Sequence, residues 1–266
     1  MKQLLYRLCI AGLPIAASAQ VMEKPYKIKH AEPLYVDLMR DLGAHRGEKE
    51  INVGMSYQEM GDYSAMQGFA EYEFAVADRL GLEVEMPFSL YRHSGAMTDL
   101  SSIPHSKVEG LKLAGQYTFL VARRAQVSMA IAFIHEFRFH SPYSVRHGKD
   151  FFYANSENPI FIAAKRWGRH VHTLLYTGPE WVFSAEPGQR QFAYQLNYSL
   201  HYMVEGNHFV GMEVNQEWTQ HGWETMLHPQ VKVSLSHHVA LGLVTGVPTG
   251  HHRESPQLMT RLIVEP

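Results

Sequence analysis

The chain has 266 residues, with 24 Lys plus Arg against 26 Asp plus Glu, 17 His and one Cys, for a formal net charge of −2. Near-neutral charge without a basic run argues against nucleic acid as the main partner. The single cysteine, Cys9, leaves no disulfide, thiolate nucleophile or cysteine metal site once the N-terminus is processed.

The first twenty residues follow the order of an export signal. Lys2 and Arg7 come first, Leu8 to Ala16 form an apolar core, and Ala17-Ser18-Ala19 gives a small-x-small cleavage site. Residues 1–19 are therefore expected to be a signal peptide cleaved after Ala19, with Gln20 as the mature N-terminus. Cys9 lies too early, with apolar residues still following, for a lipoprotein acceptor. The apolar run is too short to span a hydrocarbon core of roughly 30 Å, and no later segment offers 18 consecutive apolar residues. A mean hydropathy of −0.23 does not exclude the membrane, because barrels hide their lipid face in alternation.

Residues 20–50 read as an N-terminal periplasmic segment. Leu34, Leu38 and Leu42, with Tyr35 and Met39, recur at helical spacing; Pro33 suits a first turn and Gly43 a C-terminal cap. This predicts a short amphipathic helix over 34–42, below the barrel or plugging its periplasmic mouth, followed by a charged linker from Arg46 to Glu50.

From Ile51 the chain splits into strand-like runs at 51–57, 68–77, 81–91, 108–121, 126–139, 159–167, 171–183, 191–204, 208–219, 225–235, 238–248 and 258–265. The clearest is 191–202, where Phe192, Tyr194, Leu196, Tyr198, Leu200 and Tyr202 alternate with Gln191, Ala193, Gln195, Asn197, Ser199 and His201. That is period two, and a helical template fails on it. Short connections at 78–80, 122–125, 168–170, 205–207 and 236–237 alternate with mostly longer ones at 58–67, 92–107, 140–158, 184–190 and 249–257, the pattern of tight periplasmic turns and long external loops. Twelve strands are predicted, with ten or fourteen as alternatives. Tyr57, Tyr91, Trp167, Trp181 and Trp218, near strand ends, suit interfacial girdles.

The face opposite the greasy one is acidic. Glu71 and Glu73, Glu83 and Glu85, Glu136, Glu213 and Glu217 share it, with Lys112, Arg138 and Lys232 as compensating cations. Antiparallel pairing around the 78–80 turn predicts Glu73 nearly opposite Glu85, unfavourable unless a cation or water compensates. In a barrel such a face lines the lumen; the alternative is a structural network of charges filling a narrow barrel. His170 and His172, two apart, are at a chelating spacing, but nothing dictates a third converging ligand, and no metal or cofactor is assigned. There is no G-x-S-x-G elbow and no phosphate-binding glycine loop, so no catalytic residue is assigned either.

The string HAEPLYVD at 30–37, continuing LMRDLGAHRGEKE to residue 50, resembles the HAEPLYID family of exported bacterial proteins, with Val36 in place of isoleucine. EYEFAVADRLGLEVEMPFSLY at 71–91 resembles the early hairpin of porin-like and transporter-like outer-membrane barrels. The resemblance implies an outer-membrane location and a barrel fold; it supplies no substrate. One departure is the end, Leu262-Ile263-Val264-Glu265-Pro266, where many such barrels carry a terminal aromatic.

These readings converge on an all-β, closed, antiparallel up-and-down transmembrane β-barrel over 51–266, with outer-membrane lipid around it. The expected function is non-enzymatic: a channel or transporter for small polar or cationic solutes through a Glu-lined lumen. Alternatives are a closed structural or surface-interaction barrel acting through loops 92–107 and 140–158, where Phe151, Phe152 and Tyr153 cluster, an outer-membrane lipid-modifying enzyme, and a soluble secreted sandwich or lipid-binding barrel. Oligomeric state is open.

Overall fold

Alternation at period two leaves each strand one apolar and one polar face, and a sheet of such strands satisfies both faces and every backbone group by closing on itself. The structure, a computed structural model, describes residues 24–36, 38–93, 103–185, 190–249 and 255–266; the expected signal segment, Asp37 and the His251-His252 pair lie outside the described residues. The strands are β1 (Lys49–Glu59), β2 (Tyr63–Ala77), β3 (Leu80–His93), β4 (Lys107–Val108), β5 (Gly110–Ala122), β6 (Val127–Phe139), β7 (Phe152–Trp167), β8 (Val171–Ser184), β9 (Arg190–Val204), β10 (His208–Thr219), β11 (Gly222–Ser234), β12 (Val239–Pro248) and β13 (Gln257–Val264). All pairings are antiparallel. Neighbours in sequence pair except β4 and β5, β5 lies against β3, and β1 pairs with β13 from Ile51↔Val264 to Gln58↔Gln257, closing the barrel. The two-residue β4 extends the sheet beside Phe88 and Ser89 of β3, so twelve long strands form the wall, as the alternation predicts.

The outward face is apolar and open: Ile131 is 54% exposed, Phe133 46%, Tyr198 47% and Leu200 47%. Fully burying such a side chain is worth about 1.5–3 kcal/mol, and a belt of them left half-exposed around a closed wall is the pattern of an outer-membrane barrel. Near the long-loop end Trp181, Phe192 and Trp218 follow one another across β8, β9 and β10, with ring centroids 6.0 Å apart at each step, which suits an interfacial girdle.

Inside, the barrel is filled by its own N-terminal segment, residues 24–48. Leu34, with Ala31, packs against Phe209, Val244, Met259 and Ile263; Leu38, Met39 and Leu42 pack against Ala130, Ile160, Ile162 and Leu174. Small wall residues make the room: a Cβ on Gly242 would lie 2.9 Å from the Leu34 methyls, and one on Gly81 would strike the Cβ of Arg40.

Three expectations are corrected. The helix over 34–42 is absent from the described residues, which form bends and turns there. In a helix the Arg40 carbonyl would accept from Ala44; instead it accepts from the Gln116 side chain, the Ala44 N–H turns back to Asp41, and the Gly43 N–H goes to Thr118 Oγ1. The apolar i, i+4 spacing is satisfied by lumen contacts on several sides. Second, β2 starts at Tyr63 and β7 at Phe152, so Phe152 and Tyr153 are strand, not loop; the loop before β7 holds a single-turn helix, α1 (Pro142–Arg146), capped by Ser141. Third, Glu73 faces Glu83 and Glu85 faces Glu71. The hairpin closes at Ala77↔Leu80 around two residues, Asp78 and Arg79 (φ 68°), with a bulge between Ala75 and Ala77.

Candidate functional site

The inward face of β1, β2 and β3 brings Glu50, Glu71, Glu73, Glu83 and Glu85 into one quarter of the lumen. Glu71, Glu73 and Glu83 are buried, and Glu85 is partly open. Carboxylates this crowded stay ionised only beside cations, and the cations come from three parts of the chain. Arg40, in the N-terminal segment, places Nη1 2.8 Å from Glu50 and 3.2 Å from Glu73. Arg261, on β13, donates to Glu71 at 2.7 Å, and Lys112, on β5, pairs with Glu85 at 3.0 Å. Asn52 donates to both Glu50 and Glu73 at 2.9 Å. Arg40 is buried, which alone would lower its pKa, but Asp41, Glu50, Glu32 and Glu73 together hold its proton more tightly than usual.

A second network lies toward the long loops. Arg138 on β6 bridges Glu136 at 3.0 Å and Glu180 of β8 at 2.8 Å, and Gln195 donates to the other Glu180 oxygen at 3.1 Å. Both networks border a cavity of about 410 Å³ whose wall carries five glutamates against three cationic side chains: Glu71, Glu83, Glu85, Glu136 and Glu180, with Lys112, Arg138 and Arg261.

Glu213 on β10 has another role. It is 1% exposed and its carboxylate accepts the backbone N–H groups of Leu34, Tyr35 and Val36 at 2.9, 2.9 and 3.1 Å, and the Gln230 amide at 2.6 Å. The wall thus supplies the acceptors that this irregular backbone lacks. Above it Tyr35 stacks on His228, with centroids 3.6 Å apart, and borders the 410 Å³ cavity and two more of about 590 and 430 Å³. Tyr35 and Val36 form the floor beneath the polar space at the long-loop end.

Of the residues singled out in the sequence, nine have these inward placements or neighbours of them: Glu71, Glu73, Glu83, Glu85, Lys112, Glu136, Arg138 and Glu213 as described, and Glu217 on the wall of the 590 Å³ cavity, cross-strand from Glu224. Lys232, expected as a compensating cation, stands instead over the Phe209 ring, 5.8 Å from its centroid. His170 and His172 do not meet. His170 is exposed in its turn and stacks on Tyr202, while His172 is buried in the lumen and accepts the Ala31 N–H at 2.7 Å. Sequence reasoning missed Glu50, Glu180, Arg40, Arg261 and Tyr35. The inward phase of Arg261, between Met259 and Ile263, was a usable signal; Arg40 carried none, since a helical reading gives it a solvent face.

A family model described as HAEPLYID-like matches residues 26–265. No curated protein is detectably similar in sequence. Among solved structures, the COG4313 outer membrane channel from Pseudomonas putida F1 superposes with a TM-score of 0.65 at 12% identity, covering 87% of this chain and 100% of that one. The NanC porin does so at 0.55 and 8% identity, and the KdgM porin in complex with disordered oligogalacturonate at 0.53 and 13% identity, each covering 81% of this chain and 98% of the other. At these identities the likeness is one of fold: a porin-like outer-membrane β-barrel.

Proposed function

We propose that the chain, which belongs to the HAEPLYID-like family, is an outer-membrane channel for small cationic or neutral polar solutes, with residues 24–48 as a plug that sets its narrowest point. The observation that carries this reading is the cavity wall beside Tyr35, where five carboxylates face three cations. A wall with that excess raises the local concentration of cations and repels anions. The tight turns and both barrel ends lie together, which supports a periplasmic side for them. The KdgM structure holds an oligogalacturonate; a polyanion of that kind is a poor match for the acidic wall here.

Planar-bilayer recording from refolded Gln20–Pro266 tests this. The reading expects small steps in the intact protein and larger ones when residues 24–36 are removed. A second reading, a closed barrel acting at its loop surface, is favoured by the depth of the plug, since Leu34 and Leu38 are each 1% exposed. Silence from both proteins, with the barrel demonstrably folded, would replace the first reading by the second.

A further inference from the structure

Glu83 differs from every other carboxylate around it. It is 7% exposed, it lines the 410 Å³ cavity, and among the described residues no hydrogen bond or ion pair reaches its carboxylate, whereas Glu71 holds Arg261 and Glu85 holds Lys112. A buried carboxylate without a direct partner is costly, and Lys112 acts on this one only at longer range, so a group aimed into a cavity in this condition points to something that fills it. Oxygen atoms of Glu71, Glu83 and Glu85 all lie within 4.8 Å of one another. Two ligands about 2.4 Å from a common ion stand no more than about 4.8 Å apart, so the three side chains can reach one cation without rearranging the sheet.

Charge leads to the same place. Glu50, Glu71, Glu73, Glu83 and Glu85 face Arg40, Lys112 and Arg261, and Arg40 is shared further with Asp41. If all are ionised, negative charge remains in excess among the described residues. A divalent cation reduces that excess in one step. The ligands are all carboxylate oxygens on a polar cavity that admits water, which suits a hard ion with flexible coordination and disfavours zinc or copper.

We infer that Glu71, Glu83 and Glu85 form a Ca²⁺ site on the lumen wall, with Glu83 as its principal ligand and water completing the shell. This rests on the reading of the lumen as a solute-accessible space, and it adds a fixed ion to the wall.

The test is calorimetric titration of Ca²⁺ alone into the detergent-refolded protein, residues 20–266, stripped with chelator, beside Glu83→Gln and a Glu205→Gln control in an exposed tight turn. The inference expects one saturable site in the wild type and the control, and affinity reduced about tenfold or more in Glu83→Gln. Thermal unfolding supplies a crossover that a purely structural Glu83 would not give. Without Ca²⁺ the Glu83→Gln barrel melts above the wild type, because an unpartnered buried charge is gone; with Ca²⁺ the wild type overtakes it. No saturable Ca²⁺ binding, or binding equal in Glu83→Gln, overturns the site and assigns the charge balance to bound protons. Either result is independent of channel activity: a silent barrel that binds Ca²⁺ refutes the conduit alone, and a cation-selective barrel that binds none refutes the site alone.

Discussion

The carboxylate of Glu213, on the barrel wall, receives the backbone N–H of Leu34, in the plug, at 2.9 Å across 179 residues of sequence. With Tyr35 and Val36 also donating to it, one side chain holds the turn of the plug that forms the lumen floor. Glu213→Gln keeps the shape but turns an NH₂ donor toward N–H donors, so this isosteric change is expected to loosen the plug. Residues 20–266 contain no cysteine, which allows a clean reporter in that protein at Leu38→Cys, a position 1% exposed. Labelling by a methanethiosulfonate reagent should quicken about tenfold or more when Glu213→Gln is added, corresponding to about 1.4 kcal/mol or more of lost plug retention. Equal labelling rates would remove Glu213 from this role.

Gly81 tests the plug from the opposite wall. A side chain there strikes Arg40 Cβ, and moving Arg40 strands the buried carboxylates of Glu50 and Glu73. Breaking one side of such a buried pair costs about 3–5 kcal/mol. Gly81→Val is therefore expected to lower the melting temperature of the detergent-solubilised barrel. Gly115→Ala, whose Cβ would meet Leu82 Cδ2 at 3.4 Å and the Gly81 carbonyl oxygen at 4.0 Å, should leave it nearly unchanged. Similar losses at both positions would contradict the argument.

Acid should open the plug through His30. Its Nε2 lies 2.9 Å from Ser128 Oγ and its ring meets His172 edge-on at 6.4 Å. Burial, reinforced by His172 and Arg166 and only partly opposed by Asp41, pushes its pKa from 6.5 down to about 3. A released plug returns His30 to its ordinary value, so between about pH 6.5 and 3 the released state binds the extra proton. The plugged state is then fully retained above pH 6.5 and weakened as pH falls below it, by at most about 1.4 kcal/mol per pH unit. Conductance recorded at pH 7.5 and pH 4.5 should rise on acidification, and His30→Asn should flatten that rise. A fall in conductance on acidification, or an unaltered rise in the variant, would exclude His30.

The fold was far more legible than the site, and the reason is physical. Strand β9 announces itself because its outward Tyr198, Leu200 and Tyr202 alternate with inward Asn197, Ser199 and His201, and lipid and lumen enforce that contrast residue by residue. The start of β7 was hidden because Asn155, Glu157 and Pro159 stand at outward or rim positions and weaken the alternation. The Glu71↔Glu85 register depends on a two-residue turn and a bulge, each of which shifts the pairing by one residue, and composition fixes neither. The plug was misread as a helix because Leu34, Leu38 and Leu42 have helical spacing, whereas the surroundings that bury them come from β6, β7, β8, β10, β12 and β13. Contacts such as Arg40 with Glu73 or Arg261 with Glu71 exist only after the barrel closes.

Selectivity should reside in the upper network as well as in the lower cluster. Replacing Glu136 and Glu180 with Gln leaves Arg138 without its carboxylate partners, which are now 3.0 and 2.8 Å away, and turns that part of the wall positive. The ratio of cation to anion permeability should fall in the double variant, and a further Glu217→Gln should lower it again. An unchanged ratio in a conducting barrel would place selectivity elsewhere.

The reversal potential of the refolded protein, residues 20–266, in a planar bilayer under a KCl gradient tests the central claim most directly. A potential displaced toward the K⁺ equilibrium value is the predicted result, because carboxylates outnumber cations around the cavity beside Tyr35. A potential at zero or displaced toward the Cl⁻ value would contradict it.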